Sequence, residues 1–186
     1  MPASPFDQDK FSKKWSLFLD RDGVINYDKE GSYIFNTGEF ILYDGVPEAI
    51  KKLNTIFGHI FIVTNQRGVG KGLMTLDDLN AIHQKMVAAF NAQGGHIDQI
   101  YFADSLDNDH PDRKPNPGMA FLAQKDFPAV DLSKSIMVGN KLSDMRFGRN
   151  AGMKTVYIAT THPEVAFPHP DIDYRFDLLI DFAKAL

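Results

Sequence analysis

The chain is predicted to fold as an α/β protein, a three-layer, doubly wound parallel sheet with helices on both faces. Short apolar runs alternate with helix-period segments along its 186 residues, the pattern of a parallel sheet with right-handed crossovers. The helices carry start and stop signals at suitable offsets, such as Pro47 with Gly58 and Thr75 with Gly94. Several strands end on polar or charged clusters, the edge where open parallel sheets bind ligands.

Composition narrows the function classes. A hydrophobic fraction of 44% supports one domain with an ample core, expected over residues 15–186 behind a polar segment, 1–14. That segment has no apolar core and does not read as a signal peptide. A net charge of −4 gives no sign of a nucleic-acid or membrane partner. No run approaches the roughly 20 apolar residues of a membrane span. With no cysteine, disulfides and thiolate metal sites are excluded and a cytoplasmic location is expected.

The first strand, Ser16 to Leu19, ends on Asp20-Arg21-Asp22-Gly23. Two carboxylates so placed can attack an electrophile, move a proton and attract a hard cation. An acidic turn is the plain alternative. Asn26 to Tyr43 reads as a long loop, either a substrate loop or a surface connection. A helix follows, from Pro47 to about Phe57.

The second strand, His59 to Val63, ends on Thr64-Asn65-Gln66-Arg67 and a glycine-rich stretch. Gly70-Lys71-Gly72 is not a P-loop, because Gly72 stands where Ser or Thr is needed and Asn65 where the first glycine should be. A hydroxyl, an amide and a cation remain, a good contact set for an oxyanion or phosphate. Thr75 with Asp78 makes a capping box for the next helix.

Ile97 to Phe102 is the third strand. Its loop, 103–117, holds Asp104, Asp107, Asp109, His110 and Asp112 without a zinc spacing, then Arg113-Lys114-Pro115 before a helix to about Lys125. The fourth strand, Ser135 to Val138, leads into Gly139-Asn140-Lys141 and a helix opened near Ser143 and Asp144. Lys154 to Ile158 and Tyr174 to Phe176 complete the strands, and a helix from about Asp177 ends the chain.

Four strand ends thus deliver a matched set. The segments Leu19–Asn26, Val63–Gly70, Arg113–Met119 and Val138–Met145 resemble the four motifs of haloacid-dehalogenase-superfamily phosphatases. The likeness runs from Trp15 to the terminal helix. It is closest to the capless branch that holds heptose-bisphosphate phosphatases and the histidinol-phosphatase domain.

The resemblance implies a Rossmann-like sheet without a separate cap domain, and an open site screened by loops 26–43 and 103–117. It implies Asp20 as nucleophile, forming an aspartyl-phosphate, and Asp22 as general acid and base. Thr64 and Lys114 would hold the transferring oxygens, with Lys114 keeping Asp20 ionised. Asn65, Gln66, Arg67, Arg113 and Lys141 are the expected substrate contacts. Mg²⁺ would be held by Asp20, the backbone carbonyl of Asp22, and Asn140 or Asp144. A small phosphorylated metabolite is the expected partner, first a heptose bisphosphate, second histidinol phosphate; a polynucleotide end comes third. A phosphoacceptor or binding module with little turnover is the alternative of another class.

Two departures stand out. Where the branch has a zinc-binding Cys/His set, this chain has Ala103, Ser105, His110 and Asp112, so no zinc is expected. Where the superfamily has a metal-ligating aspartate, it has Asn140.

Overall fold

The computed structural model describes Phe6 and residues 10–186. Of the expected N-terminal segment, residues 1–5 and 7–9 lie outside the described residues. The strands are β1 (Ser16–Leu19), β2 (His59–Asn65), β3 (Gln99–Ala103), β4 (Ser135–Gly139), β5 (Lys154–Ile158) and β6 (Tyr174–Phe176). They form one sheet in the order β3-β2-β1-β4-β5-β6, every pairing parallel. The helices are α1 (Val46–Ile56), the single turn α2 (Arg67–Gly70), α3 (Leu76–Ala92), α4 (Gly118–Asp126), α5 (Leu142–Asn150) and α6 (Leu179–Ala185).

Side chains alternate along each strand, and this sorts the core into layers. Leu17 and Leu19 pack with residues of α1, α3 and α6, while Phe18 packs with residues of α4 and α5. The same division separates Ile60 and Ile62 from Phe61 and Val63. Each of these strand residues is fully buried, worth about 1.5–3 kcal/mol apiece. The expected doubly wound, three-layer sheet is what forms.

Boundaries shift where backbone pairing outruns hydrophobicity. The sequence reading ends the second strand at Val63, yet β2 continues because Thr64 and Asn65 pair with Phe102 and Ala103. The glycine-rich stretch after it contains the single helical turn α2. The loop after β1 is partly organised: Tyr27 N–H donates to Ile41 O and Tyr43 N–H to Ile25 O, both at 3.0 Å. Among the described residues no helix is long and apolar enough to cross a membrane.

The chain runs from β1 outward to β3 and then crosses back to β4 on the other side of β1. Loops leaving β1 and β4 therefore diverge, and a crevice opens between them at the carboxyl edge.

Candidate active site

Asp20 sits at the floor of that crevice. Its N–H donates to Val138 O (2.9 Å), continuing the β1–β4 ladder and aiming the carboxylate past the sheet edge. Asp20 Oδ1 meets Lys114 Nζ at 2.8 Å and accepts from the Arg21 N–H, also at 2.8 Å. Lys114 Nζ also meets Asp144 Oδ1, at 2.7 Å. All three side chains are buried. Burial, helped by the Asp144 carboxylate, pushes Asp20 up to about 7 against the pull of Lys114. Burial works against the Lys114 ammonium, but Asp144 and Asp20 outweigh it and hold its pKa above the ordinary lysine value.

Asp22 has the opposite environment. Burial alone would raise its pKa, but Arg21 reverses this, donating from Nη2 to both carboxylate oxygens (3.0 Å each) and from Nε to one (3.2 Å). Asn26 Nδ2 and Gln66 Nε2 each add a hydrogen bond at 2.9 Å, and Asp22 falls below the usual carboxylate range. Arg21 is itself fully buried, and its Nη1 lies 3.2 Å from His83 Nε2. Burial, then Arg21, depresses His83 to about 4, so its ring is neutral and accepts from the guanidinium.

The fourth motif faces the same floor. Asn140 is fully buried. One atom of its side-chain amide lies 3.1 Å from Asp22 O and 3.2 Å from Asp20 Oδ2, and the other lies 2.7 Å from Thr161 Oγ1. With the amide oxygen inward, three oxygens converge. Octahedral Mg²⁺ at 2.0–2.1 Å sets neighbouring ligand oxygens roughly 2.9 Å apart, so the spacing and the all-oxygen donor set suit that ion. Gly23 allows this approach, since it has φ +88° and a Cβ there would lie 2.0 Å from Asn140 Nδ2. Asp144 holds another position: beyond Lys114, its Oδ2 accepts from the N–H groups of Asn140 (3.1 Å) and Lys141 (3.0 Å).

Above the floor lies a cavity of about 490 Å³, walled by Asp20, Asp22, Thr64, Lys114 and Asp144 and rimmed by Tyr33, Arg67, Arg113 and Lys141. Arg67 Nε and Arg113 Nη1 are buried without a hydrogen-bond partner among the described residues. Arg67 Nη2 does reach Asn108 Oδ1, at 2.8 Å. Burial and the neighbouring Arg67 charge lower the Arg113 pKa. Lys141 Nζ pairs with Asp28 at 3.0 Å.

The sequence-predicted residues are brought together, with two in unexpected positions. Gln66 is buried behind the cavity wall, donating to Thr64 Oγ1 (2.9 Å) as well as Asp22. Asn65 spends its amide on the backbone of Lys114, through bonds of 3.0 and 3.1 Å, and so ties the third motif to β2. Sequence reasoning assigned no part to Arg21, Asn26, His83, Thr160 or Thr161. Thr160, which donates to Gly23 O, lies with Thr161 just beyond β5, in a stretch that reads as an ordinary loop. Arg21 could have been found, since an arginine between two aspartates must either pair with them or point away. In the third loop His110 Nδ1 accepts from the Asp112 N–H (3.2 Å), and no group of three or more His, Cys, Asp or Glu suited to a metal occurs among the described residues.

Comparison with known proteins bears on this arrangement. The family profile described as polynucleotide kinase 3 phosphatase matches residues 17–182. The chain belongs to that family of haloacid-dehalogenase-like phosphatases. It is similar to the D-glycero-alpha-D-manno-heptose-1,7-bisphosphate 7-phosphatase of Burkholderia mallei, 37% identical over 78% of this chain and 80% of the relative. It is 34% identical to the D-glycero-beta-D-manno-heptose-1,7-bisphosphate 7-phosphatase of Rhodopseudomonas palustris, over 91% and 93%. Among solved structures, the D,D-heptose 1,7-bisphosphate phosphatase of B. bronchiseptica, complexed with magnesium and phosphate, aligns with a TM-score of 0.82 at 29% identity. That alignment covers 91% of this chain and 96% of the other.

Proposed function

We propose that this phosphatase hydrolyses one phosphate of a sugar bisphosphate, such as D-glycero-D-manno-heptose 1,7-bisphosphate, with Asp20 as nucleophile. The observation carrying the reading is the pairing of two anion subsites in one cavity: a catalytic floor at Asp20, and a rim where Arg67 and Arg113 hold buried, unpartnered N–H groups. Two guanidiniums that close are best relieved by an anion, and a second phosphate supplies one. The heptose-bisphosphate relatives support the same substrate class.

In the first half-reaction an Asp20 oxygen forms a bond to phosphorus while the bond to the sugar oxygen breaks. Asp22 gives its proton to that departing oxygen. In the second, Asp22 takes a proton from water as the water oxygen attacks phosphorus, and the Asp20 O–P bond breaks to release phosphate. Arg21, Asn26 and Gln66 favour the carboxylate form of Asp22, which suits the second half. An incoming phosphate dianion opposes that ionisation and favours the protonated form needed in the first.

Thr64 accepts from Gln66, which turns its hydroxyl proton toward the cavity and a phosphate oxygen. Lys114 has two donors on Asp20 and Asp144 and a third for phosphate. Mg²⁺ held by Asp20 Oδ2, Asp22 O and Asn140 Oδ1 would neutralise phosphate charge and favour the ionised form of Asp20. Asp144 orients Lys114 in this scheme, and Gln66 and Asn65 brace the site. The small cavity and the net charge of −4 favour a metabolite over a nucleic-acid end.

The test is phosphate release from both anomers of heptose 1,7-bisphosphate, from histidinol phosphate and from a 3′-phosphorylated oligonucleotide, with Mg²⁺ in excess. A bisphosphate should be the best substrate by kcat/KM. Equal or better turnover of a monophosphate would overturn the two-subsite reading.

A further inference from the structure

His83 is a buried titratable group that the reaction scheme does not use. It lies on the face of α3 that carries Leu79, Ile82, Met86 and Phe90 into the core, away from the cavity wall. Packing accounts for a residue at that spacing, but an imidazole brings polar nitrogens that burial makes costly unless they are paired. Its Nε2 lies 3.2 Å from Arg21 Nη1. A guanidinium can only donate, so Nε2 accepts and the ring proton sits on Nδ1.

The other side of the same guanidinium serves Asp22. Nη2 donates to both carboxylate oxygens at 3.0 Å and Nε to one at 3.2 Å. Arg21 is fully buried, and a buried N–H without an acceptor is expensive, so Nη1 needs the imidazole. Three nitrogens of one rigid plane are thereby fixed between α3 and the turn after β1. A neutral ring suits this place. A carboxylate there would divide the Arg21 charge, as Asp20 and Asp144 divide that of Lys114.

We propose that His83 is a positioning residue for proton transfer by Asp22, acting through the plane of the Arg21 guanidinium. The inference rests on the assignment of Asp22 as general acid and base. Proton transfer needs the carboxyl group within hydrogen-bond reach of the departing oxygen and facing it. The last torsion of an aspartate is broad, so the Asp22 oxygens take their direction from whatever holds them. Asn26 and Gln66 each hold one oxygen, at 2.9 Å, and among the described residues Arg21 alone spans both. Without the ring acceptor the fork is free to turn, and the carboxyl group turns with it.

The experiment compares two esters of similar size, with Mg²⁺ in excess. Benzyl phosphate has an alkoxide that must take a proton as it leaves; 4-nitrophenyl phosphate has a phenolate that leaves without one. Their kcat/KM values report the steps up to the aspartyl-phosphate, where Asp22 acts as acid. His83→Leu should lower kcat/KM for benzyl phosphate about ten- to hundredfold, part of what general acid catalysis supplies, and for the aryl ester less than about threefold. His83→Gln, whose Oε1 can stand where Nε2 stood, should return both to within about threefold of native. In an Asp22→Asn background, His83→Leu should change neither by more than about twofold, since no proton remains to be positioned.

An equal loss on both esters in folded His83→Leu, or a His83→Gln variant as damaged as His83→Leu, would overturn the proposal. If Asp22→Asn itself does not discriminate between the esters, the acid–base assignment fails and takes the role of His83 with it. If Asp22→Asn discriminates and His83→Leu does not, only the role of His83 falls. Should His83→Leu not fold, His83→Asn replaces it. Its amide is one methylene shorter than that of His83→Gln and should show the selective loss, and equal behaviour of the two amides would overturn the proposal.

Discussion

Asp20 and Asp22 carry the same side chain two positions apart, yet their surroundings drive them in opposite directions, Asp20 up to about 7 and Asp22 below its ordinary value. Burial acts on both. The difference is that Lys114 must divide its charge between Asp20 and Asp144, whereas Arg21 gives two nitrogens to Asp22 alone. Taken alone these directions favour a protonated Asp20 and an ionised Asp22, so the proposed nucleophile and acid–base roles call for a cation beside Asp20 and a phosphate dianion beside Asp22. Asp20→Asn should therefore abolish phosphate release, because an amide is not a nucleophile; activity within about tenfold of native, some 1.4 kcal/mol in barrier, would refute the role. At the rim, Arg67→Ala should raise KM for the bisphosphate at least tenfold, a loss of about 1.4 kcal/mol or more. It should leave the KM of a small aryl phosphate nearly unchanged, and a parallel rise for both substrates would remove Arg67 from a distal-phosphate role.

The elements succeed locally and serve the site through their ends. Helix α3 begins as its sequence predicts: Thr75 Oγ1 accepts from the Asp78 N–H at 3.1 Å, and Asp78 Oδ2 accepts from the Thr75 N–H at 2.8 Å. Thr75→Ala should cost about 1 kcal/mol in denaturant unfolding with kcat unchanged, since the cap lies on the exposed surface. A change in kcat would mean that α3 positions the site through more than its packing. The turn after β1 is less forgiving. Gly23 combines a positive φ with the close approach of Asn140, so Gly23→Ala meets both backbone strain and a clash. It should lower stability by more than about 1 kcal/mol and weaken Mg²⁺ binding together. Stability loss with native Mg²⁺ affinity would separate the turn from the proposed cation site.

Across the whole molecule, the crossover from β3 to β4 gathers residues from positions 20 to 161 at one sheet edge. The same packing buries His83 against Arg21 and depresses it to about 4 from 6.5, burial being the larger cause. At pH above 6.5 both folded and unfolded chains hold this ring neutral, and it adds no pH dependence. As pH falls from 6.5 toward 4 the unfolded chain takes up a proton that the folded chain refuses, so stability declines. At pH 5 the loss from this group should be about 2 kcal/mol relative to pH 7. Urea unfolding at both pH values should show His83→Gln losing less stability on acidification than the native protein. An equal loss in both would mean that another group carries the acid sensitivity.

Strand periodicity, helix signals and the four polar strand ends are local properties, and the sequence determined from them the α/β class, the element order and the residues that meet at the edge. Asp20, Asp22, Thr64, Asn140 and Asp144 could be named because each sits within a few residues of a strand end, and Lys114 because the loop after the third strand closes on a pair of cations just before a helix. What each does there depends on neighbours distant in the chain. Gln66 turns inward because Asp22 and Thr64 accept its amide from behind the cavity wall they form, and Asn65 is consumed by the backbone of Lys114. His83 and Thr161 were not legible as site residues, one lying within a helix and the other in a loop beyond β5. Only the folded sheet brings them to Arg21 and Asn140. The reason is physical: hydrophobic pattern and backbone propensity act over a few residues, whereas hydrogen-bond partners and buried charges are settled by packing across the whole chain.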